Sequence, residues 1–159
     1  MKKGFTLVEI LIVVVVFSLI VQAIFAVFNI GRDTFFSSTG CLQLQQGLRL
    51  AMDGMTREIR QSTASDISIT SGGSGIDFKV PIDITSTPIT KSDTISYNLN
   101  SNQIIREHPA GTQKVIANDI SALSFSKSGS QIAIDITASK TIKQRTYTLD
   151  LKEKVQLRN

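Results

Sequence analysis

Glu9 is a carboxylate set inside an apolar run. The run extends from Phe5 to Phe28 and is otherwise interrupted only by Thr6, Ser18 and Gln22. A charge at the centre of such a span costs about 2.5–3.5 kcal/mol on insertion scales, and less near the end where Glu9 lies. A plain anchor has no use for it, so Glu9 is a functional residue by default and needs a partner. The other chemistry-bearing residues are sparse. Cys41 is the only cysteine, which excludes an internal disulfide and a cysteine-based metal cluster, and it reads as a small buried hydrophobe. His108 is the only histidine; beside Pro109 in a polar stretch, it reads as an exposed loop residue and not as a general base. Asp77, Asp83 and Asp93 flank one loop region and would suit calcium only if they converged, so they read as solvated acids. Gly72-Gly73-Ser74-Gly75 lacks the following lysine and helix of a phosphate loop and reads as a turn. No catalytic residue, cofactor-binding residue or metal ligand is therefore expected, and the chain is not expected to be an enzyme.

The element that carries Glu9 is a helix. At about 1.5 Å per residue, the Phe5–Phe28 run spans about 36 Å, enough to cross a hydrocarbon core of about 30 Å. Lys2 and Lys3 precede it and place the amino terminus on the cytoplasmic side. A secretory signal would be shorter and would not start directly after Lys3, and Cys41 lies too far along for a lipoprotein signal. No proline occurs before Pro81, so the helix is expected to continue through Gly31 to about residue 62. Its second half is amphipathic. Cys41, Leu44, Leu48, Met52, Met55 and Ile59 recur at three- and four-residue steps and form a stripe that should face a sheet. Arg49, Asp53 and Arg57 flank the stripe. Gly40, Gly47 and Gly54 fall seven residues apart on another line of the same helix, beside Leu50. That spacing drifts by only about 20° per step. Small residues permit close approach of helix backbones, so this line is a candidate helix interface.

After Ser62 the period changes to two. Ile67 and Ile69, then Ile76, Phe78 and Val80, then Ile95, Tyr97 and Leu99 alternate with polar residues. Pro81 is expected to stop the second run, and residues 82–93 read as a loop. A tight turn within 98–102 leads to Gln103–Glu107. Further strands are expected around Val115, Ile120–Phe125, Ile132–Ile136 and Tyr147–Leu151, the last extended by Val155 and Leu157. Short strands joined by brief polar turns fit an antiparallel sheet with one wet face, which the helix stripe covers. The fold class is therefore α+β, a long amino-terminal helix packed on an antiparallel sheet.

Lys2-Lys3-Gly4-Phe5-Thr6-Leu7-Val8-Glu9-Ile10 resembles the processing site of type IV pilins and type II secretion pseudopilins. The resemblance implies a leader of residues 1–4, a membrane and filament-core helix over 5–30, and a pilin-like soluble domain over 31–159. Within that domain an amphipathic helix covers about 31–62 and a sheet region about 63–159. It also implies cleavage by a prepilin peptidase between Gly4 and Phe5, and N-methylation of Phe5 by the same peptidase/methyltransferase. Glu9 would neutralise the Phe5 amine of a neighbouring subunit during assembly. The partners implied are the peptidase, sibling pilin or pseudopilin subunits, an inner-membrane assembly platform and, before assembly, membrane lipid. A narrower likeness lies in residues 50–62, where Asp53, Arg57 and Glu58 are similar to the helix end of J-type minor pseudopilins and pilW-like minor pilins. Gly54 and Ile59 depart from that pattern. The expected role is a minor pilin or pseudopilin at the tip, or in the initiation, of a secretion or pilus-like filament.

Two alternatives follow from the residues. One is a DNA-uptake pilin. The carboxyl-terminal half is basic through Lys114, Lys127, Lys140, Lys143, Arg145, Lys152, Lys154 and Arg158, but few aromatics accompany them and a nucleic-acid surface is weakly supported. The formal net charge is +4, and losing Lys2 and Lys3 with the leader lowers it to +2. The other alternative is a sensor or enzyme-like domain on a plain single-span anchor.

Overall fold

The structure, a computed structural model, describes residues 6–83, 85, 90–142 and 145–158. The chain divides into two compact units, Met1–Gly40 and Cys41–Asn159. One helix, α1 (Leu7–Ile59), supplies nearly all of the described part of the first unit and the opening of the second.

In the first unit α1 starts at Leu7 because Thr6 caps it. The Thr6 carbonyl accepts the Ile10 N–H at 3.3 Å, and its Oγ1 accepts the Glu9 N–H at 3.3 Å. One of the otherwise unmatched amide donors of the first turn is thereby satisfied. No described residue of this unit is buried. The hydroxyls inside the helix turn back onto it: Ser18 Oγ donates to the Val15 carbonyl at 2.7 Å, and Thr34 Oγ1 to the Ile30 carbonyl at 3.0 Å.

The second unit is an α+β layer structure. A five-stranded sheet has the order β1-β2-β5-β6-β7, with β1 (Ile67–Thr70), β2 (Gly75–Phe78), β5 (Ile95–Asn100), β6 (Gln103–Glu107) and β7 (Gln113–Ala117). A three-stranded sheet has the order β10-β9-β8, with β8 (Ile120–Ser128), β9 (Gln131–Ile142) and β10 (Arg145–Gln156). A two-stranded ladder joins β3 (Pro81–Asp83) to β4 (Thr90–Lys91). All of these pairings are antiparallel. The long helix on antiparallel sheet is the architecture expected from the periodicities.

Turn chemistry fixes the hairpins. Ser101 and Asn102 both have positive φ, the backbone that a two-residue hairpin loop between paired Asn100 and Gln103 requires. Gly73, at φ 106°, closes the 3-10 turn before β2. The ladder of β3 and β4 corrects the expectation of a loop over 82–93. Pro81 opens β3 instead of ending structure there, since the first position of a strand can lack an N–H donor.

The apolar core joins one stripe of α1 to both larger sheets. Leu44, Leu48, Met52, Met55 and Ile59 are buried, and so are Ala51 and Thr56, which the expected stripe left out. Cys41, which was expected in it, is only half-buried. It lies a turn before Leu44, where burial on this face begins. Against the stripe stand Ile76, Phe78, Ile95, Tyr97 and Ile104 of one sheet and Ile120, Phe125, Ile132, Ile134, Ile136 and Val155 of the other. The Phe78 and Tyr97 rings stack with centroids 6.1 Å apart. The helix ends at Ile59. Ser62, fully buried, donates from Oγ to the Lys79 carbonyl at 2.8 Å and so joins the helix exit to the strand region.

Ile59 is fully buried while Leu50 is 71% exposed on the same helix. We expect Ile59→Ala to destabilise the second unit by about 2–5 kcal/mol and Leu50→Ala to change it by less than about 0.5 kcal/mol. Denaturant unfolding of the full chain in detergent, followed by near-ultraviolet dichroism, measures both.

Candidate functional site

The first site is the start of α1. Gly4 and Phe5, the residues expected at the cleavage and methylation point, lie outside the described residues. Glu9 lies in the first turn of α1 and is exposed. The cap makes Glu9 the third residue of the helix, in the arrangement Thr6-Leu7-Val8-Glu9. Position three of a helix favours a carboxylate electrostatically, because unmatched N–H groups concentrate positive potential there. Thr6 is a functional residue beyond those expected from the Glu9 charge, and its signal in the sequence is a threonine followed three residues later by glutamate, the signature of such a cap. Behind this turn, α1 is long and apolar enough to cross a membrane. Its apolar side chains, including Ile10, Val13, Phe17, Ile20, Ile24 and Phe28, are left in the open, these six each at least half exposed.

The second site is the open flank of α1 in the second unit. Gly47 and Gly54 are half-buried, and a methyl group placed on either meets nothing within 4 Å. Leu50 lies between them and is one of the most exposed apolar side chains of the unit. At about 100° of rotation per residue, Gly47, Leu50 and Gly54 fall within about 60° of one another. Gly40, half-buried, is the last residue of the first unit and continues the seven-residue spacing.

Residues singled out in the stretch 50–62 separate in space. Glu58 turns toward the sheet. Its Oε2 accepts a hydrogen bond from Tyr97 Oη at 2.9 Å and one from Arg106 Nε at 3.0 Å. Burial, and then the Glu58 charge, push the Tyr97 phenol well above its ordinary range, so it stays a donor. Partial desolvation works against the Arg106 charge, but Glu58 more than offsets it and the net direction is up. This is a fastening between helix and sheet, and its sheet partners lie 39 and 48 residues away, out of reach of local pattern reading. Asp53 and Arg57 instead stay exposed and line a shallow pocket with Thr56, Arg60, Gln61 and Glu153.

His108 departs from expectation. It is half-buried, its backbone N–H donates to the Thr112 carbonyl at 3.1 Å, and its ring Nδ1 is buried without a hydrogen-bond partner among the described residues. The short loop between β6 and β7 is closed by backbone bonds, His108 N–H to the Thr112 carbonyl and Thr112 N–H to the Pro109 carbonyl at 2.9 Å, and it leaves His108 partly exposed. No group of three or more His, Cys, Asp or Glu side chains that could hold a metal occurs among the described residues. Several of the carboxyl-terminal lysines have local partners. Lys140 pairs with Asp119 at 2.8 Å, Lys152 with Asp135 at 3.4 Å, and Lys127 donates to the Ile67 carbonyl at 3.3 Å. Elsewhere Lys91 and Thr63 hydrogen-bond Asp66 and hold its carboxyl below the usual carboxylate range.

With this geometry in place, comparison with known proteins bears on the first of these sites. The family model for the prokaryotic N-terminal methylation motif matches residues 1–21, which include Gly4, Phe5, Thr6 and Glu9. No curated protein and no solved structure matches the chain. The motif supports a type IV pilin-like precursor, a structural kind of subunit. Together with the apolar helix that follows, it supports a membrane-anchored protein that is processed by a prepilin peptidase and assembles with other pilins.

Proposed function

We propose that this chain is a minor pilin or pseudopilin, a structural subunit of a type II secretion or pilus-like filament that acts at its tip or initiation. The observation that carries the reading is the methylation motif over residues 1–21, which leads into an apolar helix half with no buried residue. Such a helix needs lipid or the helices of neighbours around it. In this reading Lys2 and Lys3 lie on the cytoplasmic side, and the chain crosses the inner membrane once. The peptidase hydrolyses the bond between Gly4 and Phe5, the new Phe5 amine is methylated, and Glu9 pairs with that amine on a neighbour. Each charge alone suffers desolvation, and the pair offsets it. The likeness of Asp53, Arg57 and Glu58 to J-type and pilW-like subunits supports the minor role. The open flank with Gly47, Leu50 and Gly54 is proposed as the seat of a neighbouring subunit's helix, with Gly40 continuing its line.

Processing is checked by mass spectrometry of the mature amino terminus, which should begin with methylated Phe5. Gly4→Val should leave a full-length precursor in the membrane, because a branched side chain blocks close approach to an extended backbone. An unmodified Met1 terminus on the wild-type chain refutes the reading.

Assembly is checked with Glu9→Leu. The variant should insert and be cut, since its span is more apolar, yet its incorporation into sheared filaments should fall at least about tenfold. Incorporation at the wild-type level removes the role assigned to Glu9.

The flank is checked at Gly47. Gly47→Ala should raise the stability of the second unit by up to about 1 kcal/mol, and Gly47→Leu should leave it folded but block co-assembly with sibling subunits. A leucine variant that co-assembles normally shows that the flank is not an interface.

A further inference from the structure

The outer edge of β10 is an open ladder over the strand itself; just past its end, Arg158 is bridged on that side by Ser62 and Thr63. β10 pairs with β9 over all 12 of its residues without a register shift, and among the described residues no strand pairs with its other side. It contains neither proline nor glycine. Natural edge strands are ordinarily short, bulged or interrupted, because a row of unmatched N–H and C=O groups is a template for another strand.

Which residues face outward follows from two hydrogen bonds just past the strand. Leu157 N–H donates to the Ser130 carbonyl at 2.8 Å, toward β9, and Arg158 N–H donates to the Ser62 carbonyl at 3.3 Å, on the opposite side. Antiparallel ladders alternate in this way residue by residue. The odd-numbered residues of β10 therefore bond to β9. Thr146, Thr148, Asp150, Lys152, Lys154 and Gln156 direct their backbone groups outward, and the side chains of these six are also exposed.

We propose that a second copy of this chain adds to this edge, β10 against β10, antiparallel about a two-fold axis at Leu151. The charges select both the partner and the register. Backbone matching requires even-numbered residues to stand opposite even-numbered ones, which leaves few alignments. An axis at Asp150 or an axis at Lys152 sets that residue against its own copy. An axis at Glu153 sets Lys152 against Lys154, and an axis at Leu149 runs past the start of the strand. With the axis at Leu151, Asp150 of each copy stands opposite Lys152 of the other, Lys154 opposite Thr148, and Gln156 opposite Thr146. No like charges meet. The half-buried Leu151 side chains meet at the axis, and Tyr147 stands opposite Val155. Existing contacts already hold the two charged side chains within this row: Lys152 Nζ lies 3.4 Å from Asp135 Oδ2, and Thr137 Oγ1 donates to Asp150 Oδ1 at 2.7 Å. In the pair the row becomes continuous, Asp135 to Lys152, across the edge to Asp150, and on to Thr137. Opposed ion pairs across a sheet are favourable, and the new backbone ladder adds to them. The proposal does not rest on the filament reading.

The test uses the full chain in detergent micelles with Cys41→Ser, so that an introduced cysteine is the only thiol. At the axis, facing Cα atoms of a pair not hydrogen-bonded to each other lie about 4.5 Å apart, within the range a disulfide spans. Leu151→Cys should form a disulfide-linked dimer under mild oxidation. Thr148→Cys, which faces Lys154 and not its own copy, should form at least about tenfold less. Added to the Leu151→Cys chain, Asp150→Lys should reduce the linked dimer at least about tenfold, and Asp150→Lys combined with Lys152→Asp should restore it. If Leu151→Cys perturbs folding, light scattering of the two exposed charge variants without the added cysteine reads the same loss and rescue. Equal linkage of the Thr148→Cys and Leu151→Cys chains, indifference to the charge exchange, or a monomer throughout overturns the proposal and leaves the edge to a different strand.

Discussion

The constraint on which the structure depends is the unburied apolar surface of the first half of α1. The second unit encloses its own core, whereas no described apolar side chain between Leu7 and Ile30 is buried and nearly all are exposed. At about 25 cal/mol per Å² of apolar area, leaving such a surface in water is strongly unfavourable, so the chain is stable only with lipid or other helices around it. Helical backbone is the one open-ended form that can enter that setting, because each amide is matched within the segment. The hydroxyls of Ser18 and Thr34 obey the same rule by bonding to carbonyls of their own helix.

In the second unit the same helix is held by its own chain, and the residue types change accordingly. Ala51, with no exposed surface at all, lies between Leu48 and Met55 on the buried face, where a small side chain lets backbone and sheet come close. Glu58, at the margin of that face, adds direction to the contact. Apolar packing resists sliding only weakly, while two charge-assisted hydrogen bonds to Tyr97 and Arg106, residues on neighbouring strands β5 and β6, hold one helical position over one place in the sheet. Ser62 then ties the helix exit to Lys79.

Much of this was legible in the sequence because it is periodic. The buried stripe follows from three- and four-residue spacing, and the strands from alternation, since both patterns are set by which side chains face water. The departures lie where a neighbour outside the local window decides. Cys41 has the right helical phase but lies before the part of α1 that packs on the sheets, so phase alone overstated its burial. The partial burial of His108 depends on how a loop closes, and the pairing of β3 with β4 depends on a strand that begins with proline. The partners of Glu58 required the tertiary fold. Thr6 is a different case. Its cap is local and could be read directly, but the weight of the Glu9 charge hid the threonine three residues before it.

The cap and the charge at the start of α1 are separable. Thr6 Oγ1 bonds to the Glu9 backbone N–H, which any residue other than proline provides. The helix start therefore does not need a carboxylate at position 9, and the favourable field at a helix amino terminus repays only part of its desolvation, about 0.3–1 kcal/mol in exposed settings. Against an insertion cost of up to about 2.5–3.5 kcal/mol for an acid in an apolar span, the balance still calls for a positive charge close by. The apolar run supplies none from Thr6 to Ile30, and the first basic residue after it, Arg32, is 23 positions beyond Glu9. At about 1.5 Å per residue that is about 35 Å along the helix, too far to act on Glu9. The remaining sources are the amino-terminal end of this chain and the same end of a neighbour. Under the proposed processing, a cut between Gly4 and Phe5 would set a free amine close to Glu9 in sequence, whereas an uncut chain would leave Lys2 and Lys3 as its nearest cations.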